Sequence, residues 1–388
     1  MTESHPTPAG PAPGAGPAPA AASSGGRLES IDALRGFNMF WIMGGAELFA
    51  STAAWLNIPW LLVVSDNLTE HVEWEGFHFH DMIFPLFLFI MGVTTPFSVG
   101  RRREKGAALG ELVRHALIRT AVLFFLGWVY SGLFKLEGWN ELRIMGVLQR
   151  LALGSGVAVL CYLFFALRVR IGICIALLLA YWAAMKLCPV PGHPVGSMDE
   201  HGNFANYVDR LIFKPGQLYK DYGDPEGLFS TIPAISTALL GIFAGEWLRS
   251  SRAAMEKVKG LVIAGALGIA LGYAWSPLFP VIKKIWTSSY VLVAGGWSAL
   301  LLALFYWIID VRGARRWAYF FVVIGLNPIT IYLGQRMIDF DKTAEFFVAA
   351  AAKMAGHDIE AVILALAGVA VRWLFLHFLH RQKIYLKV

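Results

Sequence analysis

The stretch HVEWEGFHFHDMIFPLFLFIMG, residues 71–92, joins a dense cluster of polar side chains directly to an apolar run. Apolar and small residues continue from 82 to 99, which at about 1.5 Å per residue is long enough for a helix to cross the hydrocarbon core of a bilayer. Titratable groups at the mouth of a membrane are costly unless they are paired or used in function. The stretch therefore predicts a functional site where a membrane helix begins.

The composition of the whole chain indicates a membrane protein. Of its 388 residues, 57% are hydrophobic and only 15% are charged, which is too apolar for a soluble domain of this length. The net charge of +6 is small and most basic residues lie between apolar runs, so it indicates membrane topology rather than nucleic-acid binding. The three cysteines have no paired metal-ligand spacing and predict neither a disulfide framework nor a zinc site.

We predict an all-α polytopic membrane protein with about ten transmembrane helices. The Pro-, Ala- and Gly-rich residues 1–26 are expected to form a disordered tail, and residues 27–388 to form one transmembrane domain whose longest outer loop is 189–227. The predicted spans are 33–54, 82–100, 112–133, 144–167, 171–188, 228–248, 261–275, 288–309, 318–334 and 359–379. Apolar pieces at 59–64 and 346–354 are too short to span, and whether 343–355 adds an eleventh helix is left open.

Basic residues are concentrated in every second loop. Groups of Lys and Arg follow predicted helices two, four, six and eight, and another group ends the chain. The positive-inside rule therefore places these loops and both termini in the cytoplasm. The alternate loops carry most of the acids and histidines, so the chemistry is predicted at the outer face.

His71 is the first candidate for catalysis. A neutral imidazole at the membrane boundary can act as a general base, or as a nucleophile that carries an acyl group, although an ordinary loop histidine is the simpler interpretation. His78, His80 and Asp81 also resemble part of a metal site. We favour a role for Asp81 in orienting a neighbouring group or capping the helix, and expect no metal.

Predicted helix one carries charges at both ends. Asp32 and Arg35 are spaced to pair at i, i+3 near the cytoplasm, either as a topological anchor or as part of a ligand site. Glu47 lies near the outer end, where an acid requires a partner or a polar cavity.

Two later helices contain polar residues at membrane depth. Arg143 would begin helix four at the outer surface, with Gln149 and Arg150 one to two turns inside it. An intramembrane arginine is tolerated mainly beside a cavity or a carboxylate, and we favour a functional cavity over a structural ion pair. In helix nine Asn327 precedes Pro328, and a proline at this depth leaves an unpaired carbonyl of the kind that lines cavities.

The outer loop ends in the polar segment DYGDPEG before predicted helix six. Asp224, Glu226 and Tyr222 are residue types that hydrogen-bond to a sugar or stack on it. Asp-Pro-Glu-Gly is equally good turn chemistry before a helix, so both interpretations stay open.

Taken together and in this order, these segments resemble the heparan-α-glucosaminide N-acetyltransferase family, which comprises a lysosomal enzyme and bacterial relatives. Individually the motifs are modest, but their order and spacing from residue 27 to about residue 336 are specific. The motifs are RLESIDALRG, His71-x-x-Trp74-x-Gly76 followed by Asp81, FIMG, RIMGVLQRL, YVDRLIF with DPEG, WTSSYV, IDVRG and GLNPITIYLG.

The resemblance implies an enzyme that moves an acetyl group from cytoplasmic acetyl-CoA to a glucosamine-type amino sugar beyond the membrane, with His71 as its active histidine. Asp81 and Glu47 are assigned with His71 to catalysis, since an asparagine of the family near the end of helix one has no match here and Glu47 occupies that region. The remaining assignments are Arg35, Gln149, Arg150 and Asn327 to acetyl-CoA, with its phosphates also near Arg101–Arg103, and Trp74, Arg143, Asp224 and Glu226 to the acceptor.

Three points stay open at this stage. Transfer can proceed by direct attack of the amine, assisted by His71, or through an acetyl-histidine. A multi-pass transporter of a sugar or another small solute is the rival class, because buried charge and a Pro-interrupted helix also suit solute passage. A location in the bacterial inner membrane is expected from the resemblance, and the sequence permits a homodimer.

Overall fold

The computed structural model describes residues 28–135 and 138–386, so the predicted tail at 1–26 lies outside the described residues. Within these ranges the chain is all-α, and no strand is formed. The helices are α1 Glu29–Phe40, α2 Ala46–Leu56, α3 Pro59–Thr69, α4 Ile83–Thr95, α5 Arg101–Glu104, α6 Leu109–Ser131, α7 Val147–Phe164, α8 Leu167–Leu187, α9 Phe204–Ile212, α10 Thr231–Arg249, α11 Ala254–Trp275, α12 Ser288–Phe305, α13 Ala318–Leu326, α14 Pro328–Met337, α15 Phe340–Ala355 and α16 His357–Arg381.

In the part of the chain that the structure describes, eight helices are long and apolar enough to cross a membrane. They are Phe79–Glu104, Leu109–Ser131, Val147–Phe164, Leu167–Leu187, Thr231–Arg249, Ala254–Trp275, Ser288–Val311 and Ile359–Arg381. A ninth span is obtained if α13 and α14, which meet at 70°, are counted as one. Each corresponds to a predicted span, so the fold class of a polytopic helical membrane protein is confirmed.

Two predicted spans are not continuous helices. Segment 33–54 is divided between α1 and α2, because Gly44 has a φ of +116°, a conformation that a residue with a side chain rarely adopts. Segment 318–334 is divided at Asn327, whose ψ of 45° is not helical and which precedes Pro328. Residues 343–355 lie within α15, which has 16 residues and is not among the spans.

Glycines allow several helices to approach closely. A methyl group built on Gly241 of α10 would lie 2.0 Å from the carbonyl oxygen of Phe89 in α4, and one on Gly325 of α13 would lie 1.9 Å from that of Asp32 in α1. Small residues at such crossings are how membrane helices gain packing contacts when lipid offers no hydrophobic driving force. These two close contacts fix the positions of α4 and α1. Residues of both helices line the main cavity described below.

Gly241→Ala is expected to lower the melting temperature of the detergent-solubilised protein, because overpacking a tight contact costs about 1–3 kcal/mol. Gly172→Ala on α8 is the matched control, since nothing lies within 4 Å of its added methyl group. Thermal unfolding of both variants checks this, and equal melting temperatures would contradict the close approach of α4 and α10.

Candidate active site

A cavity of about 460 Å³ runs along one face of α4. Phe84, Phe87, Met91 and Thr94 line it at helical spacing, and residues 83–94 correspond to about 16 Å of helix. Other apolar lining residues are Met39, Ile42, Leu123, Val147, Leu148, Leu151, Leu326, Pro328, Ile329 and Leu386. The polar residues of the lining lie near the two ends of this face, so the cavity is an apolar passage with two different polar ends.

His71 and Asp81 form the first polar end. The Nδ1 atom of His71 lies 2.8 Å from Oδ1 of Asp81, and the His71 side chain is half exposed. Asp81 is buried in the turn Phe79–Met82 before α4, and its Oδ2 accepts a hydrogen bond from the backbone N–H of His78 at 3.1 Å. A carboxylate that accepts the Nδ1 proton leaves Nε2 as the acceptor of the ring. The pair therefore has the geometry of a general base held in one orientation.

Lys283 completes this end of the cavity. Its Nζ lies 3.0 Å from Nδ1 and 3.3 Å from Nε2 of His71, and 3.3 Å from Oδ1 of Asp81. Burial lowers the pKa of Lys283, while the Asp81 carboxylate opposes the shift. A mostly buried ammonium beside the imidazole can stabilise negative charge that develops on a reacting group.

Arg143, Asp224 and Glu226 form an ion-paired cluster next to His71. Arg143 binds Asp224 through two hydrogen bonds of 2.8 and 2.6 Å and Glu226 through one of 2.6 Å. Burial opposes its charge, but these acids raise the pKa of Arg143. Both oxygens of Asp224 also accept backbone N–H groups, from Tyr219 and Glu226. Both carboxylate oxygens of Asp224 are therefore fully used as hydrogen-bond acceptors, whereas Glu226 lines the cavity together with His71.

Arg35 and Arg119 lie at the other end of the cavity. Arg35 pairs with Asp32 at 3.2 Å, as the i, i+3 spacing predicted, and donates to the carbonyl of Gly325. The Nε atom of Arg119 is buried without a hydrogen-bond partner. Arg119 and Thr94 also line an adjoining cavity of about 300 Å³ with Arg102 and His115. Because both arginines are positively charged, this end of the cavity is suited to binding an anion.

Arg150 is placed behind the site rather than in the cavity lining. It is fully buried on α7, where its guanidinium donates to the Gly227 carbonyl and to the Ser230 hydroxyl and lies 4.7 Å from the ring of Trp286. Trp286 has a φ of +48°, which is rare for a bulky residue, and lines a cavity beside His71. Arg150 thus packs behind a wall of the cavity beside His71 and does not itself line the cavity along α4.

Gln149, Asn327 and Glu47 also lie outside the cavity lining. Gln149 is buried, with its amide against Gly127 of α6. Asn327 is buried at the bend after α13, where it donates to the Ile384 carbonyl and accepts from the Leu386 N–H, and so fastens the C-terminal segment. Glu47 is exposed on α2, beyond the break at Gly44, and the structure does not bring it to His71.

The histidines next to Asp81 bind backbone carbonyls. The Nδ1 atom of His78 lies 3.1 Å from the Glu70 oxygen and that of His80 lies 3.2 Å from the Leu68 oxygen. The His80 ring lies 4.5 Å from that of His71, measured between centroids. Across residues 28–135, 138–356 and 359–386, no three His, Cys, Asp or Glu side chains converge in a way that could hold a metal ion.

Two residues of the candidate site, Arg119 and Lys283, were not predicted from the sequence, although a feature of the sequence points to each of them. Arg119 is a charge inside a predicted span, so the argument that singled out Arg150 applies to it equally. Lys283 and Lys284 form a basic pair in a loop assigned to the outer side, where the positive-inside rule disfavours lysines.

Comparison with known proteins agrees with the motifs. Residues 27–270 match a family model described as heparan-alpha-glucosaminide N-acetyltransferase, catalytic. The chain is 27% identical over 324 residues to the human protein named heparan-alpha-glucosaminide N-acetyltransferase, covering 70% of this chain and 49% of that protein. It is 26% identical over 373 residues to the mouse protein of the same name, covering 82% and 56%.

The chain spans about half the length of the curated relatives it matches. The family model covers well over half of the chain and includes His71, Asp81, Arg119 and the Arg143 ion pairs, whereas Lys283 lies beyond the matched residues. The resemblance seen in the sequence is confirmed, and the protein belongs to the heparan-alpha-glucosaminide N-acetyltransferase family.

Proposed function

We propose that the protein is an acetyl-CoA-dependent N-acetyltransferase of the bacterial inner membrane. It moves an acetyl group from cytoplasmic acetyl-CoA to a glucosamine-type amino sugar on the outer side. The observation that carries this proposal is the cavity along α4, which joins a basic end at Arg35 and Arg119 to the His71, Asp81 and Lys283 cluster.

The charges and apolar wall of the cavity suit the parts of acetyl-CoA. The phosphates would lie near Arg35, Arg119 and Arg102, which bind anions through charge-assisted hydrogen bonds. The uncharged pantetheine arm would follow the apolar face of α4. The thioester would then reach His71 at the opposite end. Pockets of 300–1,000 Å³, roughly, are usual for ligands of this kind.

The reaction joins the sugar nitrogen to the acetyl carbon and breaks the bond from that carbon to sulfur. By direct attack, Nε2 of His71 takes the proton from the amine, and the CoA thiolate leaves and is protonated. In the alternative, His71 displaces the thiolate first and the amine then attacks the acetyl-histidine. In both routes the Lys283 ammonium stabilises the negative charge on the carbonyl oxygen or leaving sulfur.

The proposal is tested with the purified protein in liposomes that enclose glucosamine, with labelled acetyl-CoA added outside. Labelled N-acetylglucosamine is expected inside the vesicles. In a parallel experiment with labelled glucosamine and no acetyl-CoA, passage of the unmodified sugar would instead support the transporter.

Arg119→Ala is expected to weaken acetyl-CoA binding by about 10- to 100-fold, because hydrogen bonds to a charged group contribute about 1.5–3 kcal/mol. Arg114→Ala is the matched control, since Arg114 is exposed on the same helix. Isothermal titration in detergent measures both affinities. Equal affinities of the two variants would show that the phosphates of acetyl-CoA do not bind at this end of the cavity.

The topology, with both termini in the cytoplasm, follows from the alternation of basic loops and is tested with single cysteines. Cys161, Cys174 and Cys188 are first replaced by serine. Val195→Cys and Met255→Cys then introduce thiols at sites that are 62% and 45% exposed. An impermeant thiol reagent applied to spheroplasts should label position 195 only, and the reverse pattern would invert the topology.

A further inference from the structure

Lys283 carries a primary amine into the catalytic end of the cavity. It lies in the loop between α11 and α12, beyond residues 27–270 that match the family model. It lines the cavity along α4 and also an adjoining cavity of about 280 Å³, which His71, Asp81 and Glu226 line as well. Its side chain is only 20% exposed. The amine is therefore sheltered from bulk solvent and lies in the space where the acetyl group would be transferred.

The position of this amine relative to His71 is the one that the acceptor amine needs. Because Nδ1 of His71 donates its proton to Asp81, Nε2 is the ring atom that can take a proton, and Nζ of Lys283 lies 3.3 Å from it. In the mechanism proposed above, the amine of the sugar gives its proton to this same atom. Lys283 thus holds a second amine within reach of the catalytic base.

The reactive form of Lys283 is the neutral amine. Burial lowers the pKa of Lys283, although the carboxylates of Asp81 and Glu226 oppose the shift. At a given pH, a larger fraction of Lys283 is therefore neutral than of a lysine with an ordinary pKa, and desolvated lysines of this kind serve as nucleophiles in enzymes. The other titratable groups around Nζ are His71, His80 and Lys284.

We propose that Lys283 is a self-acetylation site, to which the enzyme transfers the acetyl group when acetyl-CoA is bound and no amino sugar fills the cavity. The inference rests on the proposed function. Nζ loses one proton to become the neutral amine and a second as its bond to the acetyl carbon forms. The bond from that carbon to sulfur, or to Nε2 in an acetyl-histidine, breaks. The leaving thiolate or imidazole takes up one of the two protons, and the other passes to solvent.

Acetylation of Lys283 would switch the enzyme off. The product is a neutral amide, which does not stabilise negative charge on the carbonyl oxygen or the leaving sulfur as the ammonium does. Transfer by the acetylated protein is therefore expected to fall by about 10²- to 10³-fold, as for the loss of one such donor. An amino sugar in the cavity would compete for the acetyl group and protect Lys283.

The test incubates the purified protein with labelled acetyl-CoA, with and without glucosamine, and maps the label by mass spectrometry after treatment with hydroxylamine. Hydroxylamine removes acetyl from an imidazole but not from lysine, so the label it removes bears on the chemical route and the label that remains reports Lys283. Without glucosamine we expect stable label on Lys283 and a parallel loss of transfer activity, and glucosamine should suppress both. His71→Ala should slow the labelling of Lys283 by about 10²-fold or more.

Two controls separate directed transfer from chemical acetylation in solution. Lys259 is exposed on α11 of the same chain and should carry little label. Lys283→Arg, whose guanidinium is a far weaker nucleophile, should keep its initial activity throughout the incubation, which tests the inference even if His71→Ala does not fold.

Three results would contradict the proposal. Equal labelling of Lys283 in the wild type and in His71→Ala, to the extent found for Lys259, would overturn this inference. Transfer to glucosamine by a protein whose Lys283 stays unlabelled would also overturn it and leave the proposed function standing. Absence of both transfer and label would overturn the proposed function together with this inference.

Discussion

His71→Ala is expected to lower acetyl transfer by about 10²- to 10⁴-fold, the usual contribution of a general base, while acetyl-CoA still binds. The expectation follows from the 2.8 Å contact between Nδ1 of His71 and Asp81, which leaves Nε2 to take a proton. Transfer rate and acetyl-CoA affinity should be measured on the same preparation. His78→Ala is the matched control, because that ring faces the Glu70 carbonyl and does not line the cavity.

Incubation with labelled acetyl-CoA in the absence of acceptor separates the two chemical routes. A covalent acetyl label on the wild type that disappears in His71→Ala would support an acetyl-histidine, whereas no label on either protein would support direct attack. Full activity in a well-folded His71→Ala would contradict both routes.

Lys283→Ala is expected to lower kcat by about 10²- to 10³-fold, comparable to the loss of one donor that stabilises a developing negative charge. The Nζ atom lies within 3.3 Å of His71 and Asp81. Lys283→Arg should retain most of the activity, because the guanidinium keeps the positive charge. Steady-state rates of the two variants measure this, and equal losses in both would show that the shape of the lysine, rather than its charge, is required.

The dependence of kcat on pH provides an independent check on Lys283. The ammonium is charged below its pKa, so a step that needs the charge slows as the pH rises through that pKa. Burial lowers the pKa of Lys283, and the alkaline decline should therefore begin below the ordinary lysine value of about 10.4. Arginine stays charged up to a pH of about 12, so Lys283→Arg should remove this decline. An unchanged decline in Lys283→Arg would assign it to another group.

The sequence by itself determined the fold class and the centre of the candidate site. Hydrophobic run length depends only on local composition, and it located eight spans and the bent pair α13 and α14. His71 and Asp81 are only ten residues apart and meet in the short segment before α4, so the local sequence was sufficient to assign both to one candidate site. Asp32 and Arg35 pair for the same reason, one helical turn apart.

Only the tertiary structure decided which of the remaining polar residues share a cavity. Lys283 is 212 positions from His71 and reaches it because the loop before α12 packs against the turn before α4. Arg119 and Arg150 are indistinguishable as charges in apolar runs, yet one lines the cavity and the other lies behind Trp286. The face that a helix turns toward its neighbours depends on contacts such as that of Gly241 with Phe89, which join residues far apart in the chain. Hydrophobic periodicity is weak where lipid and protein interior are both apolar, so those faces could not be assigned from the sequence.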